Sequence, residues 1–204
     1  MIEAKELYGK LRMFERLNKY QKIFVTGPHR SGTTICARMI SSDTGFDWYK
    51  EDVIGERSLN SLMEWVDNNK ERCVLQCPTM CYCIHEVSRE DNLIVLVVRS
   101  VADILKSQKR IGWNREKEGL ETYNAVEGVL ADVKYRVWNR EQKQKVKNFI
   151  EVKYETLRTH WLWVPKEHRT DFKPRQTAVN IKYTFDSSSK DAILKKKLEK
   201  KGKI

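Results

Sequence analysis

Two glycines and several hydroxyl side chains lie close together in the segment FVTGPHRSGTTICARMI, which runs from Phe24 to Ile40. Gly27 and Gly32 have the spacing of the glycines in a phosphate-binding loop of the form GxxxxGK[ST], whose backbone N–H groups surround a phosphate. Thr33 occupies the position of the lysine that reaches the β- and γ-phosphates in that motif, and Thr34 follows it. The segment therefore predicts an anion-binding loop without the usual lysine for a nucleoside triphosphate.

A second candidate anion site lies in VVRSVADILKSQ, at residues 97–108. Arg99 ends an apolar run, and Ser100 with Asp103 has the pattern of a capping box that starts a helix. Ser107 lies two helical turns after Ser100, on the same face. We therefore expect Arg99 and Ser107 to face one anion, although a capping serine beside a solvated arginine would give the same short pattern.

The chain is strongly basic. It has 204 residues, with 39 lysine and arginine residues against 28 aspartate and glutamate residues, and a formal net charge of +11. Seven of the lysines lie in the segment 190–204, which we interpret as a solvated tail outside a single domain at 1–189. This balance favours anionic partners such as nucleotides, nucleic acids or sulfated polymers, without choosing among them.

The sequence predicts a cytoplasmic protein with no membrane partner. Residues 1–22 are charged throughout, and the longest aliphatic run, LIVLVV at 93–98, is far too short to cross a bilayer. The five cysteines are an odd number without a secretory signal, which indicates reduced thiols. Four of them lie close together, but their spacing does not match a zinc motif, so no metal site is predicted; they are Cys73, Cys77, Cys81 and Cys83.

Apolar runs bounded by turn residues predict four strands, at 22–26, 73–76, 93–98 and 149–153. Because these runs are apolar on both faces and helical stretches lie between them, they favour a three-layer α/β fold. In such a fold, helices cover both faces of a mostly parallel sheet. The glycine loop then lies at a strand-to-helix turn, where the helix N-terminus offers N–H groups to a phosphate.

These motifs resemble, in the same order along the chain, those of the sulfotransferase family. The string from His29 to Thr34 is similar to the family's 5′-phosphosulfate loop, in which a basic residue precedes Ser-Gly-Thr-Thr. Arg99 and Ser107 are similar to its 3′-phosphate motif, and VKYETL at 152–157 looks like its V-x-Y-E-x-L segment. The resemblance covers roughly residues 20–160 and implies a P-loop NTPase-like fold.

The resemblance implies transfer of a sulfuryl group from 3′-phosphoadenosine 5′-phosphosulfate to an acceptor hydroxyl or amine, without a metal. Arg30 and the amides of 31–34 would neutralise charge on the leaving phosphate, and Arg99 and Ser107 would hold the 3′-phosphate. The acceptor, which could be a metabolite, a carbohydrate or a peptide, stays open, as does the oligomeric state. The implied donor-binding residues are His29, Arg30, Ser31, Gly32, Thr33, Thr34, Arg99 and Ser107.

The acceptor must lose a proton, so a general base is expected near the loop. In the tyrosylprotein branch, which the loop resembles most, a glutamate follows the basic residue at a similar distance. Here Glu51 lies 21 residues after Arg30, and these two are the implied catalytic residues. Glu51 would otherwise be an ordinary surface carboxylate in a loop, and His29 or His85 would then be the candidate base.

The sequence departs from the family pattern at two places. Gln76 stands where many members have a lysine that touches the transferred group, while Pro78 is retained. The C-terminal arginine-lysine-glycine loop of cytosolic members is not evident, and Lys173 and Arg175 are weak substitutes for it. The chain is also short for the family, which suggests trimmed substrate loops.

Two other functions stay open. A nucleoside kinase or ATPase would need a magnesium-binding acid at a strand end, whereas the second and third predicted strands end at Gln76 and Arg99. A nucleic-acid-binding protein would explain the charge, and Trp113 in the basic stretch 109–115 could stack on a base. A solvated helix end explains that stretch better, so nucleic acid is the less favoured partner.

Overall fold

A parallel sheet forms the centre of the molecule. The computed structural model describes residues 13–110 and 123–164, and for 123–129 it gives the backbone alone. Its strands are β1 (Lys22–Thr26), β2 (Asp47–Lys50), β3 (Cys73–Gln76), β4 (Asn92–Val98) and β5 (Phe149–Lys153). They lie in the order β2-β3-β1-β4-β5, and every neighbouring pair is parallel.

Helices connect these strands. In the described residues, α1 (Thr33–Thr44) follows β1, α2 (Leu59–Asn68) follows β2, and α3 (Val101–Arg110) follows β4. Helix α4 (Tyr123–Val137) precedes β5 and continues into a π-helical turn at Trp138–Gln142. Short 3-10 helices occupy Glu15–Lys19, Glu51–Ile54, Pro78–Tyr82, Ile84–Val87 and Tyr154–Thr159.

Each face of the sheet has its own apolar core. Ile23 and Val25 of β1 pack on one face with α1, whereas Phe24 packs on the other face with Leu62 of α2 and with Trp138. Successive side chains of a strand point to opposite faces, so a strand buried on both sides must be apolar throughout. The predicted three-layer α/β fold with a parallel sheet is confirmed.

The four strands predicted from apolar runs are all present. The bounds of β1, β3 and β5 agree with the prediction, and β4 begins one residue earlier, at Asn92. Strand β2 has no counterpart among the predicted strands, because it is a short edge strand of sequence DWYK that contains no apolar run. Glu51 starts a 3-10 helix directly after this edge strand and its side chain is buried, so it is not the ordinary surface carboxylate that was the alternative to a catalytic role.

The parallel arrangement brings distant segments to one edge of the sheet. The carboxyl ends of β1, β3, β4 and β5 meet there, and they are followed by Gly27, Cys77, Arg99 and Tyr154. In open α/β sheets, ligands bind at this edge. The capping box predicted after β4 is present, because the Asp103 amide donates to the Ser100 hydroxyl at 3.2 Å.

A buried carboxylate holds both ends of the described chain against α1. Asp43 accepts hydrogen bonds from the Phe14 amide at 3.0 Å, from His160 Nε2 at 3.0 Å and from Trp161 Nε1 at 3.2 Å. His160 Nδ1 accepts from the Leu162 amide at 3.1 Å, so the ring proton lies on Nε2 and points at Asp43. This cluster joins segments that are far apart in sequence.

The described residues bear on some of the remaining predictions about the whole chain and leave others untested. None of the described helices is long and apolar enough to span a membrane. All five cysteine thiols are free, and Cys83 alone is not buried. The domain boundary at 189, the tail 190–204, Lys173, Arg175 and Trp113 lie outside the described residues.

Candidate functional site

The loop between β1 and α1 depends on its two glycines. Gly27 has φ 138° and Gly32 has φ 108°, conformations that L side chains rarely adopt. A Cβ on Gly27 would lie 2.7 Å from the Val97 carbonyl oxygen, and one on Gly32 would lie 2.5 Å from Cδ2 of Tyr154. Both positions therefore require glycine for space as well as for backbone conformation.

The loop leads into the N-terminus of α1. Gly32 is the N-cap residue and has no side chain to accept from the amides of the first turn. Those amides and the helix dipole favour an anion at this position. Ser31 is fully buried, and its hydroxyl has no hydrogen-bond partner in the part of the chain that the structure describes. A buried hydroxyl without a partner beside a helix N-terminus marks a position for a ligand oxygen.

Arg30 connects the two predicted anion motifs. Its Nε donates to the Ser107 hydroxyl of α3 at 3.3 Å, and its backbone carbonyl accepts from Arg99 Nη1 at 3.0 Å. Its φ of 69° lies in the left-handed region, which costs a residue with a Cβ roughly 1–2 kcal/mol. The structure thus places Arg30, Arg99 and Ser107 in one connected cluster rather than at two separate positions.

Two tyrosines orient Arg99. Its guanidinium lies 4.0 Å from the ring centre of Tyr154, the same ring that covers Gly32, and its backbone amide donates to the Tyr135 hydroxyl at 2.9 Å. The Nε of Arg99 is buried without a hydrogen-bond partner among the described residues. Tyr154 belongs to the VKYETL segment, so the sequence contained a signal for it, although it was not among the predicted site residues.

The cluster carries a concentrated positive charge. Burial, followed by repulsion from Arg110 and Arg99, lowers the pKa of Arg30 below its usual value. Burial, followed by the charges of Lys134, Arg57 and Arg30, lowers the pKa of His29 from 6.5 to about 4. His29 is therefore neutral at pH 7, and the repulsion among these cations favours a bound anion.

Glu51, the implied base, caps the 3-10 helix Pro78–Tyr82. Its two carboxylate oxygens accept from the Thr79 amide at 2.9 Å and from the Thr79 hydroxyl at 2.8 Å. Arg57 Nε lies 3.7 Å from the same carboxylate, and the Arg57 guanidinium also pairs with Asp52 at 3.0 Å. The structure therefore gives Glu51 a definite structural contact, and its catalytic role stays a prediction.

Gln76 lies at the edge of the loop. Its side-chain amide donates to the Thr33 hydroxyl at 3.4 Å, so this position holds a loop side chain without adding charge. Lys134 of α4, which the sequence gave no reason to select, is almost fully buried and donates to the Pro78 carbonyl at 3.0 Å. The ammonium group that reaches this strand end thus comes from a distant helix.

His85, the other candidate base, lies in the 3-10 helix Ile84–Val87 and pairs with Glu86 at 3.0 Å. No described contact joins His85 to Arg30, Arg99 or Ser107. Among residues 13–110 and 123–164, no group of three or more His, Cys, Asp or Glu side chains is arranged to hold a metal ion. The site described is therefore one of cations, hydroxyls and backbone amides.

Comparison with known proteins assigns no family. No family model matches this chain, and no curated protein matches it. Among solved structures, shikimate kinase from Acinetobacter baumannii in complex with shikimate is similar, with 12% sequence identity and a TM-score of 0.46. The match covers 68% of this chain and 87% of that chain. What the protein does must accordingly be argued from the chemistry of its own site.

Proposed function

We propose that this protein transfers a sulfuryl group from 3′-phosphoadenosine 5′-phosphosulfate to an acceptor hydroxyl or amine. The observation that carries the proposal is the position of Arg30, which lies in the loop at the N-terminus of α1 and contacts both Arg99 and Ser107. A donor with a 5′-phosphosulfate and a separate 3′-phosphate needs two adjoining anion-binding groups and no lysine clamp for a γ-phosphate. The loop and the Arg99–Ser107 pair supply such groups.

Two orphaned donors support the fit of this ligand. The Ser31 hydroxyl lies in the loop and the Arg99 Nε lies beside α3, and each is buried without a partner in the described part of the chain. Ligand oxygens on the 5′ and 3′ sides would satisfy them, which removes a cost of roughly 1–3 kcal/mol for the neutral Ser31 hydroxyl and a larger one for the charged Arg99 guanidinium. The Thr33 hydroxyl accepts from Gln76 and retains its own proton for donation to the 5′ group.

The proposed reaction is a displacement at sulfur. A bond forms between the acceptor oxygen or nitrogen and sulfur, while the bond from sulfur to the bridging phosphate oxygen breaks, and the acceptor proton passes to a base. Negative charge moves onto the 5′-phosphate, next to the Arg30 guanidinium and the α1 amides. When mutagenesis removes one donor arranged in this way, the transition state typically loses about 3–4 kcal/mol of stabilisation.

Glu51 is the proposed base. A carboxylate has about four acceptor sites, and Thr79 uses two of them, so the group can still accept a proton. Glu51→Gln should leave donor binding unchanged and lower turnover by about 10²–10⁴-fold. Thr79→Val is the matched control, because it removes the hydroxyl contact and keeps the carboxylate. Equal losses in the two variants would mean that Glu51 acts by capping the 3-10 helix.

The first experiment is a thermal-shift comparison of two ligands. Adenosine 3′,5′-bisphosphate without magnesium, at about a hundred times its dissociation constant, should stabilise the protein by about 2.7 kcal/mol. For a chain of this size that is roughly a 5–11 °C rise in melting temperature. ATP with magnesium should stabilise it much less, because the loop has Thr33 in place of lysine. Equal or greater stabilisation by magnesium-ATP would refute the proposal in favour of a kinase or ATPase.

Identification of the acceptor follows. Labelled donor would be incubated with phenols, sugars, amines and tyrosine peptides, and transfer to each would be measured. If the bisphosphate binds tightly but no acceptor is labelled, Gln76→Lys tests whether a missing cation at the end of β3 limits the reaction.

A further inference from the structure

Three cations from separate elements act electrostatically on His29. Lys134 comes from α4, Arg57 follows the 3-10 helix Glu51–Ile54, and Arg30 lies on the loop, and all three act on the imidazole as positive charges. Arg57 is partly neutralised by its contacts with Asp52 and Glu51. Lys134 exerts the largest of these three charge effects on His29. The positive region of the site therefore extends from Arg30, past His29, to Lys134.

Lys134 reaches the base of the loop through the 3-10 helix Pro78–Tyr82. Its Nζ donates to the Pro78 carbonyl at 3.0 Å and lies 5.3 Å from the Tyr82 ring centre, with 6% of the residue exposed. The Cys77 carbonyl, directly before Pro78, accepts from the Thr26 hydroxyl at 3.1 Å, and Thr26 is directly followed by Gly27. The Lys134 ammonium thus adjoins the first residue of the phosphate-type loop.

We propose that Lys134 is a further anion-binding residue, whose ammonium contacts the group held on the loop. This inference rests on the proposed function for the identity of the anion. The hydrogen bond to the Pro78 carbonyl holds the Lys134 ammonium at the carboxyl end of β3, where its positive charge acts on the loop. Neither Thr33 nor Gln76 brings charge to the loop, and Lys134 supplies it from α4.

A bound anion should also change the protonation of His29. The charged groups that lower the pKa of His29 are Lys134, Arg57 and Arg30, and an anion bound near them offsets their positive charge. The pKa of His29, about 4 without ligand, should then rise towards its ordinary value of 6.5. At pH 5.5 the protein should take up close to one proton through His29 when the anion binds, and much less at pH 7.5.

The test is titration calorimetry with adenosine 3′,5′-bisphosphate and, separately, inorganic pyrophosphate. Lys134→Gln retains a donor for the Pro78 carbonyl but loses the charge, and it should weaken both probes at least tenfold, whereas Lys134→Arg should restore most of the affinity. Gln142→Met is the structural control, because Gln142 donates to Cys81 and Tyr82 of the same 3-10 helix without a charge. Lys147→Met, at the opposite edge of the sheet, controls for net charge.

Proton uptake gives an independent readout that a purely structural role would not change. Titrations at pH 5.5 in buffers of different ionisation enthalpy should show that the unaltered protein takes up more protons on binding the anion than His29→Gln does. Lys134→Gln should lie between them, because His29 is then partly protonated before the anion binds. If Lys134→Gln fails to fold, absence of His29-dependent uptake in the unaltered protein overturns the inference.

The outcomes separate this inference from the proposed function. Pyrophosphate binding that depends on Lys134, without binding of the bisphosphate, keeps the inference and refutes the donor assignment. Bisphosphate binding that is unchanged in Lys134→Gln, or weakened as much in Gln142→Met, overturns the inference and leaves the proposed function standing. Failure of both probes to bind the unaltered protein overturns both.

Discussion

Arg30→Gly should change the stability of the free protein and its ligand affinity very differently. Glycine removes the cost of a left-handed residue with a Cβ, roughly 1–2 kcal/mol, and it removes a partly buried cation that Arg99 and Arg110 repel. Against these gains, the Ser107 hydroxyl loses the bond from Arg30 Nε, and glycine loses about 0.5–1 kcal/mol more backbone entropy than alanine on folding. The free energy of unfolding should therefore stay within about 1 kcal/mol of that of the unaltered protein.

Ligand binding should respond in the opposite way. A hydrogen bond from a charged group contributes about 1.5–3 kcal/mol, so loss of the guanidinium should lower the affinity for adenosine 3′,5′-bisphosphate by about 10–150-fold. At a ligand concentration that stabilises the unaltered protein by about 2.7 kcal/mol, the stabilisation of Arg30→Gly should fall to about 0.3–1.4 kcal/mol. Urea unfolding with and without the bisphosphate measures both quantities in one series.

Arg30→Ala is the matched variant, because it also lacks the guanidinium but keeps the Cβ in the left-handed region. It should bind the ligand as weakly as Arg30→Gly and be less stable by about 1 kcal/mol. Two results would refute the reasoning. One is a loss of more than about 2 kcal/mol in free Arg30→Gly, which would make Arg30 a structural residue. The other is an unchanged ligand effect, which would remove Arg30 from the anion site.

Three further changes test other parts of the molecule. Arg99→Ala should weaken the bisphosphate at least tenfold and adenosine 5′-phosphosulfate less, measured by calorimetry; equal losses would show that it acts through its bond to the loop carbonyl. In urea unfolding, Gly32→Ala should lower the free energy of unfolding by about 2–4 kcal/mol and Gly55→Ala by about 1–2 kcal/mol. The difference is expected because a Cβ on Gly32 meets the Tyr154 ring, whereas a Cβ on Gly55 meets nothing within 4 Å. Equal losses would refute the packing argument. Burial by itself raises the pKa of Asp43, but the hydrogen bonds to its carboxylate, of which that from His160 has the largest effect, lower the pKa below its usual value. The stabilisation that Asp43 contributes is therefore present above about pH 4 and is lost as the pH falls through the lowered pKa. Asp43→Asn should therefore cost about 1–3 kcal/mol at pH 7 and progressively less in unfolding series below pH 4, and a pH-independent cost would contradict this.

The sequence alone determined four of the five strands and the loop. The run LIVLVV is apolar at every position, as expected of a strand buried on both faces. Strands β1, β3, β4 and β5 were predictable because each contains a run of apolar residues bounded by turn residues. Gly27 and Gly32 could be identified because their spacing, between a strand and a helix, has a local physical cause in backbone conformation. The capping box at Ser100 is equally local, and it starts α3 as predicted.

The tertiary structure decided what these local elements meet. Strand β2 is stabilised by pairing with β3 rather than by an apolar run, so the burial of Glu51 and its capping of Thr79 had no signal in sequence. The contact of Arg30 with Ser107 joins residues 77 positions apart, and that of His160 with Asp43 joins residues 117 apart. Such contacts depend on how the strands are ordered in the sheet, which no local pattern encodes.

Lys134 shows the same limit most clearly. In the sequence it is one of many lysines on a helix of mixed polarity, where a solvated position is the ordinary expectation. In the fold, α4 packs against the 3-10 helix that follows β3, and this packing buries the Lys134 ammonium beside the loop. The sequence determined that a glycine loop forms at the end of β1, because backbone conformation there is a local property. The tertiary structure decided which charges surround that loop, because they come from elements that meet only when the sheet is assembled.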